Sequence, residues 1–328
     1  MRVVRVQTPD ALEQPWASLF RSADRVWSSL RAELPSAEIQ LVTSDPDVWL
    51  WDAYRNLPET DTPIVAILHE APGDDEGLAQ VLVDHTDRIG RLIAKRAERV
   101  VTCSLASRDR IIERYGIRSD LIDLAPYGVD SATFRPDGPT ATQAILDAGG
   151  DERPYVLFVG TVLPRKNLPL LRDAMVELPT HQLVVVASPC LHPESPALFE
   201  KAVAPLNGQP VANLNGIDDK GLAALMRGAD LLCLPSSSEG FGLPVIEAMA
   251  CGTPVVVSDR GSLPEVASAG GVVVSPTREG VAEGLVAGLS RRSSLSENAL
   301  RRAQELTWAC TANAVRRSLL AAVRVEST

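Results

Sequence analysis

The stretch Leu231–Glu265, LLCLPSSSEGFGLPVIEAMACGTPVVVSDRGSLPE, decides the fold. Its apolar opening, Leu231–Leu234, predicts a buried strand. A polar Ser236–Ser237–Ser238 turn follows, then Glu239 and the glycine-punctuated Gly240–Phe241–Gly242. Pro244 suits a first helical position, so the sequence predicts a helix through Val245–Met249, stopped by Gly252. Val255–Val257 predicts a second strand. The unit strand, glycine loop, helix, strand belongs to an α/β parallel sheet. A glycine loop that opens a helix presents backbone N–H groups and a positive dipole end, which suits a phosphate. Glu239 and Glu247 would repel that phosphate, so they are better used as acceptors for sugar hydroxyls.

Glu239 and Glu247, embedded in EGFGLPVIEAMACGTPVV and followed by GSLPEV, give this stretch a specific likeness. It resembles the nucleotide-sugar signature of retaining glycosyltransferases with two Rossmann-like domains (the GT-B fold), and more narrowly glycosyltransferase family 4. The resemblance runs over about residues 64–325. It implies an N-terminal Rossmann-like acceptor domain over 1–137 and a C-terminal nucleotide-sugar donor domain over 152–306. It also implies an interdomain cleft and a C-terminal helix, 308–328, that crosses back onto the first domain.

Length and composition agree with this class. The chain has 328 residues, 45% hydrophobic and 23% charged, which suits two soluble globular domains. A net charge of −10 disfavours nucleic acid and anionic membrane as partners. No apolar run reaches a membrane span, and MRVVRVQTPDALEQPW lacks the apolar core of a signal peptide. Five cysteines without metal-site spacing read as reduced thiols, so a cytoplasmic protein is expected. Cys233 and Cys251 sit in apolar surroundings and read as packing.

In the first domain, candidate strands are Arg2–Val6, Ile39–Thr43, Ile64–His69, Val100–Ser104 and Leu121–Ala125. Amphipathic segments Arg21–Leu34, Gly77–Arg99 and Leu105–Tyr115 lie between them. His69 ends an apolar run at a strand's carboxyl end, where cleft residues of such sheets belong. It is either a site residue or a structural imidazole; TPIVAILHEAP resembles the strand that ends in the family's active-site histidine. RVVTCSLASRDRIIERYGI and IDLAPYGVDSATFRP also resemble the family, which usually has Asn where Tyr127 stands.

The first seventy residues fit the family poorly. The first glycine of the chain is Gly73, and the loop after Val6 is Gln7–Thr8–Pro9–Asp10, so the family's glycine-rich loop is missing. Trp16, Trp27, Trp49 and Trp51 are either core or the lining of an acceptor site. Asp45–Pro46–Asp47 precedes DVWLW and has two readings: helix capping, or the acid pair of metal-dependent glycosyltransferases. Arg88, Arg91, Lys95 and Arg99 read as one face of a helix, solvated or membrane-docking. Residues 1–137 hold 16 Lys and Arg against 23 Asp and Glu, which favours the solvated reading.

Turn-rich Phe134–Asp151 reads as the linker. Beyond it, Tyr155–Val159 predicts a strand ending at Gly160–Thr161, and Pro164–Arg165–Lys166–Asn167 precedes a helix over Leu168–Val176. Adjacent Arg165 and Lys166 in a strand-to-helix loop form a cationic clamp for a departing diphosphate. VGTVLPRKNLP resembles the family's diphosphate loop, most like users of GDP-mannose; Arg165 then compensates for Thr161, where many members carry Arg. Val184–Val186 predicts a further strand, followed by Ser188–Pro189–Cys190 where the family often has glycines. LNGIDDKGLAALMRGADLLCLP resembles the family's base-reading segment, with main-chain groups around Ile217.

The resemblance assigns Gly160, Thr161, Arg165, Lys166 and the Gly240–Phe241–Gly242–Leu243 backbone to the donor diphosphate. It gives Glu247 the ribose hydroxyls, Glu239 the donor-sugar hydroxyls, and His69 a part in orienting that sugar. No metal or other cofactor is called for, because the clamp neutralises the diphosphate. The expected partners are a nucleoside-diphosphate sugar (GDP-sugar first, UDP-sugar next) and a small soluble acceptor. The alternatives are a catalytically inactive nucleotide-sugar-binding subunit and an epimerase or phosphorylase of the same fold. A dinucleotide oxidoreductase is discounted, since no Gly-x-Gly-x-x-Gly follows a first strand.

Overall fold

The computed structural model of the chain describes residues 3–8, 21–52, 58–71, 80–187, 195–205 and 210–324. The chain divides into two units: Met1–Asp74 with Gln80–Gly128 and Thr307–Thr328, and a second that includes Val129–Leu306.

The first unit carries β1 (Val4–Gln7), α1 (Arg21–Glu33), β2 (Ile39–Val42), β3 (Val48–Asp52) and β4 (Ile64–Ile67). It continues with α2 (Gln80–Arg96), β5 (Arg99–Thr102), α3 (Leu105–Tyr115) and β6 (Ile122–Leu124). The strands form one parallel sheet in the order β2-β1-β3-β4-β5-β6. The order reverses at β1 and β3, which is the doubly wound arrangement. β4 is buried along its whole length, as a strand covered on both faces must be, and so it reads as an unbroken apolar run. Ser104 caps α3 by accepting the Ser107 N–H at 3.0 Å, and Gly116 in the left-handed region ends it.

Two readings of this half are corrected. The segment after Asp47 is strand β3, so Asp45 and Asp47 cap no helix. Asp45 takes a left-handed φ of 55°, and Asp47 exchanges two bonds with the Arg5 backbone: its N–H reaches the Arg5 carbonyl at 2.9 Å, and its Oδ2 accepts the Arg5 N–H at 2.8 Å. The acids make the turn that registers β3 on β1, where the β-branched and aromatic side chains of VWLW favour a strand. Arg99 likewise leaves the expected helix face: α2 stops at Arg96, and Arg99 lies in β5, ion-paired with Asp123 at 2.7 Å. On α2 itself, Arg91 is paired with Asp87 at 3.0 Å, and Arg114 of α3 meets the same carboxylate at 2.6 Å.

The second unit begins with the short helix α4 (Thr142–Asp147), inside the stretch expected as a linker. Then come β7 (Tyr155–Val159), α5 (Leu168–Ala174), β8 (Gln182–Val186), α6 (Ser195–Val203), β9 (Val211–Leu214) and α7 (Asp219–Gly228). β10 (Leu231–Leu234), α8 (Leu243–Ala250), β11 (Val255–Ser258), α9 (Leu263–Ala267), β12 (Gly271–Val274), α10 (Arg278–Ser290) and α11 (Arg292–Glu305) complete it. Its parallel sheet runs β12-β11-β10-β7-β8-β9. The chain moves outward from β7 in one direction, returns to β10, and moves outward in the other. The reversal therefore falls between β7 and β10, and in doubly wound sheets ligands bind beyond the strands' carboxyl ends at such a point.

The last helix, α12 (Trp308–Arg324), belongs to the first unit. It lies against α1 and across β3, β4, β5 and β6. Polar ties hold it: Arg316 Nε donates to the Leu34 carbonyl at 2.9 Å, and the Ser318 hydroxyl donates to Asp123. No helix among the described residues is long and apolar enough to cross a membrane.

Candidate functional site

At the reversal in the second sheet, β7 and β10 are neighbours, and the loops leaving them are laced together. The Ser237 N–H donates to the Arg165 carbonyl at 2.7 Å, and Asn167 Nδ2 to the Pro235 carbonyl at 2.9 Å. Arg165 Nη1 returns a bond to the Ser238 carbonyl at 2.7 Å. Asn167 makes the turn from the β7 loop into α5 in a left-handed conformation, φ 53°. Asn tolerates that region better than most side chains.

Glu239 is the hub. Lys166 Nζ donates to its Oε1, the Ser236 hydroxyl donates to the same oxygen at 2.7 Å, and Arg165 Nη1 lies 3.5 Å from Oε2. Lys166 and Glu239 are both buried. Burial works against ionising this carboxyl, but the Lys166 and Arg165 charges outweigh it and hold it below the usual carboxylate range. The main chain of Glu239 is also fixed: its carbonyl accepts the Ser262 N–H at 3.2 Å and the Ser262 hydroxyl at 3.1 Å. Gly261 allows that approach. Its φ is 57°, and a Cβ there would stand 2.6 Å from the Glu239 carbonyl oxygen.

After Glu239, Gly240 and Phe241 lead to Gly242, which caps α8 with φ 94°; Leu243 opens the helix, and Pro244 falls in its first positions. Glu247 is buried within α8. Gly160 and Thr161 leave β7, the Gly160 N–H reaching the Val186 carbonyl at 3.1 Å. Of the expected donor residues, the structure therefore brings together Arg165, Lys166 and Glu239, with Gly240–Leu243 directly following. Ile217 stands apart, on the loop between β9 at the sheet's edge and α7. Ser188–Pro189–Cys190 lies outside the described residues, as do Trp16 and the Pro9–Asp10 end of the first loop.

Two refinements emerge. Arg165 and Lys166 are not free cations; in this structure they embrace Glu239. Two cations against one carboxylate still leave the cluster one positive charge in excess, beside a helix N-terminus. Sequence reading also missed Ser236, Ser238 and Ser262, which hold Glu239 and Arg165. For Ser236 and Ser238 the signal was the serine run after a buried strand, read only as a turn.

His69 lies just past β4 in the first unit, and it is buried. Its Nδ1 is hydrogen-bonded to the Tyr127 hydroxyl. Its carbonyl accepts the Cys103 thiol at 3.2 Å, and burial pushes that thiol up to about 12, keeping it protonated. Trp27 is core; Trp49 and Trp51 pack edge to face on β3, 5.5 Å between centroids, against the core around β4. These three tryptophans thus serve packing, as their apolar area requires. Cys233 and Cys251 are buried too. Among the described residues, no group of His, Cys, Asp and Glu is arranged to hold a metal ion.

Comparison with known proteins accords with this geometry. A family model described as glycosyl transferases group 1 matches residues 148–305, and one described as glycosyltransferase family 4 matches residues 2–133. The MMP alpha-(1->4)-mannosyltransferase of Mycolicibacterium hassiacum is 33% identical over 179 residues, 53% of this chain and 40% of that protein. The D-inositol 3-phosphate glycosyltransferase of Segniliparus rotundus is 33% identical over 254 residues, 72% of this chain and 54% of that protein. The chain thus spans about half the length of the curated relatives it matches. Among solved structures, HepE of Anabaena in complex with UDP and glucose superposes with a TM-score of 0.73 at 17% identity, over 97% of this chain and 100% of that one. Sucrose-phosphate synthase of Thermosynechococcus elongatus gives 0.68 at 22% identity, over 96% and 82%. At these identities the structural matches establish the fold.

Proposed function

The chain belongs to the group 1 glycosyl transferases, and we propose that it moves a sugar from a nucleoside diphosphate to an acceptor hydroxyl with retention at the anomeric carbon. One observation carries this reading: a doubly cationic loop is laced to a carboxylate loop at the sheet's reversal, beside the N-terminus of α8. A departing diphosphate gains negative charge as its bond to the sugar breaks. Arg165, Lys166 and the α8 N-terminus are already oriented to take that charge, so little reorganisation is needed. The acceptor oxygen arrives on the same face, and its proton leaves with the diphosphate.

Glu239, held ionised by its cations, accepts hydroxyls of the donor sugar, and Glu247 takes the ribose hydroxyls. His69 orients the donor sugar. No metal is called for in this reading, because the excess positive charge of the cluster and the α8 N-terminus offset part of the diphosphate's charge. GDP-mannose is the first candidate donor, supported by the likeness of VGTVLPRKNLP to mannosyl-transfer loops and by the mannosyltransferase relative. A UDP-sugar is next, supported by the UDP and glucose complex of HepE. The acceptor is proposed to be small and water-soluble.

The test is a transfer assay with GDP-mannose and UDP-glucose, with and without chelator, against a panel of soluble sugar and polyol acceptors. The anomeric configuration of the product is read by NMR. Metal-independent transfer with retention is expected; inversion, or a strict demand for a divalent ion, would overturn the corresponding part.

A further inference from the structure

We infer that Tyr127 is a positioning residue that fixes the tautomer of His69, leaving the ring proton on Nε2. The inference rests on the transfer reading above. His69 and Tyr127 are both buried, their rings 5.8 Å apart, with the phenol hydroxyl on Nδ1. A phenol is a far better proton donor than a neutral imidazole N–H, and an imidazole nitrogen is a far better acceptor than a phenol oxygen. The bond therefore runs from the hydroxyl to Nδ1, and the remaining proton sits on Nε2. Cys103 also lies within hydrogen-bonding reach of the phenol. Its own proton goes to the His69 carbonyl, and sulfur is a weak acceptor, so it does not displace Nδ1.

Tyr127 is in turn fixed by the start of α12. Its ring stacks on Trp308, with centroids 5.9 Å apart and planes 29° apart. On its N-terminal side, the Pro126 carbonyl accepts the Thr311 hydroxyl at 2.6 Å. On its C-terminal side, Gly128 presses so closely that a Cβ would stand 2.1 Å from the Trp308 nitrogen. Backbone on either side and ring in the middle are all held by one helix turn. This support fixes the hydroxyl against Nδ1, the nitrogen that decides the tautomer.

The experiment is nitrogen-15 NMR of histidine-labelled protein, wild type and Tyr127→Phe. The chain has four histidines, so His69→Gln assigns the His69 signals. In the wild type, Nε2 of His69 is expected to show the protonated, pyrrole-type shift and Nδ1 the pyridine-type shift. In Tyr127→Phe, which keeps the stack on Trp308, the two shifts should converge as both tautomers populate. The same variant should lose kcat about tenfold, the size of one neutral hydrogen bond, with donor KM within about twofold of wild type. Unaltered thermal melting controls for folding. A protonated Nδ1 in the wild type would overturn the inference, as would shifts that ignore the substitution. So would changed shifts with unchanged kcat. The tautomer reading needs no substrate, so it stands or falls separately from the choice of donor.

Discussion

The two doubly wound sheets place their candidate chemistry in the same kind of location and hold it in opposite ways. In the second unit the residues are charged: Glu239 is gripped by Lys166, Arg165 and Ser236, and the loops are tied by backbone bonds. In the first unit the residues are rings: His69 bonds to Tyr127, which stacks on Trp308. The fold assembles both: the charge cluster joins two loops 73 residues apart, each following a buried apolar strand, and the ring stack joins residues 69, 127 and 308. The charged site should therefore respond to substitution with large losses of stability and binding, and the ring site with losses of turnover.

Glu239→Ala is the strongest way to break that comparison. It strands Lys166 in a buried site, and removing one partner of a buried ion pair costs about 3–5 kcal/mol. Denaturant unfolding should show a loss of that order, and transfer should fall at least about a hundredfold, the scale of a lost charge-stabilising group. A variant as stable as wild type would mean that the cluster is not the hub described. Arg165→Ala should be milder, because Lys166 still neutralises Glu239. It is expected to raise donor KM and lower kcat, cutting kcat/KM by about tenfold to a hundredfold, the size of a charged hydrogen bond. Wild-type kinetics would remove Arg165 from the site.

Gly261→Ala tests the backbone under Glu239. A left-handed residue with a Cβ against the Glu239 carbonyl should destabilise by about 1–3 kcal/mol, read as a lower Tm. An unchanged Tm would show that the close approach is easily relieved. The smallest expected effect concerns pH. The folded-state pKa of Glu239 is depressed. Its ion pairs therefore stabilise fully above the ordinary glutamate value of about 4.3 and are lost as pH falls through the depressed value. Glu239→Gln lacks this contribution, so its Tm should decline less steeply on acidification; parallel acid branches would contradict the assignment.

How much was legible follows from what is local. β7, β10 and α8 were readable because buried parallel strands are continuous apolar runs and Pro244 marks a helix start. Arg165, Lys166 and Glu239 were readable because both loops follow such strands. β3 was hidden by Asp45–Pro46–Asp47, since an acid before an apolar segment is also a capping pattern; only the bonds to Arg5 show it to be a strand turn. Arg99 was misplaced because helical spacing continues past Arg96, while the partner that draws it into β5, Asp123, is 24 residues on. Tyr127 and Trp308 escaped because stacking between distant residues leaves no spacing to read.

The central claim is that Arg165, Lys166 and the loop opening α8 form a nucleoside-diphosphate site. The measurement that tests it most directly is a thermal-shift titration with UDP, GDP, ADP and TDP, with and without Mg²⁺, on wild type and Arg165→Ala. A ligand that binds only the native state raises Tm according to ln(1 + [L]/Kd). The account predicts that one nucleotide raises Tm clearly without metal and that the rise shrinks in Arg165→Ala. No rise with any nucleotide, or a rise of equal size in the variant, would contradict it.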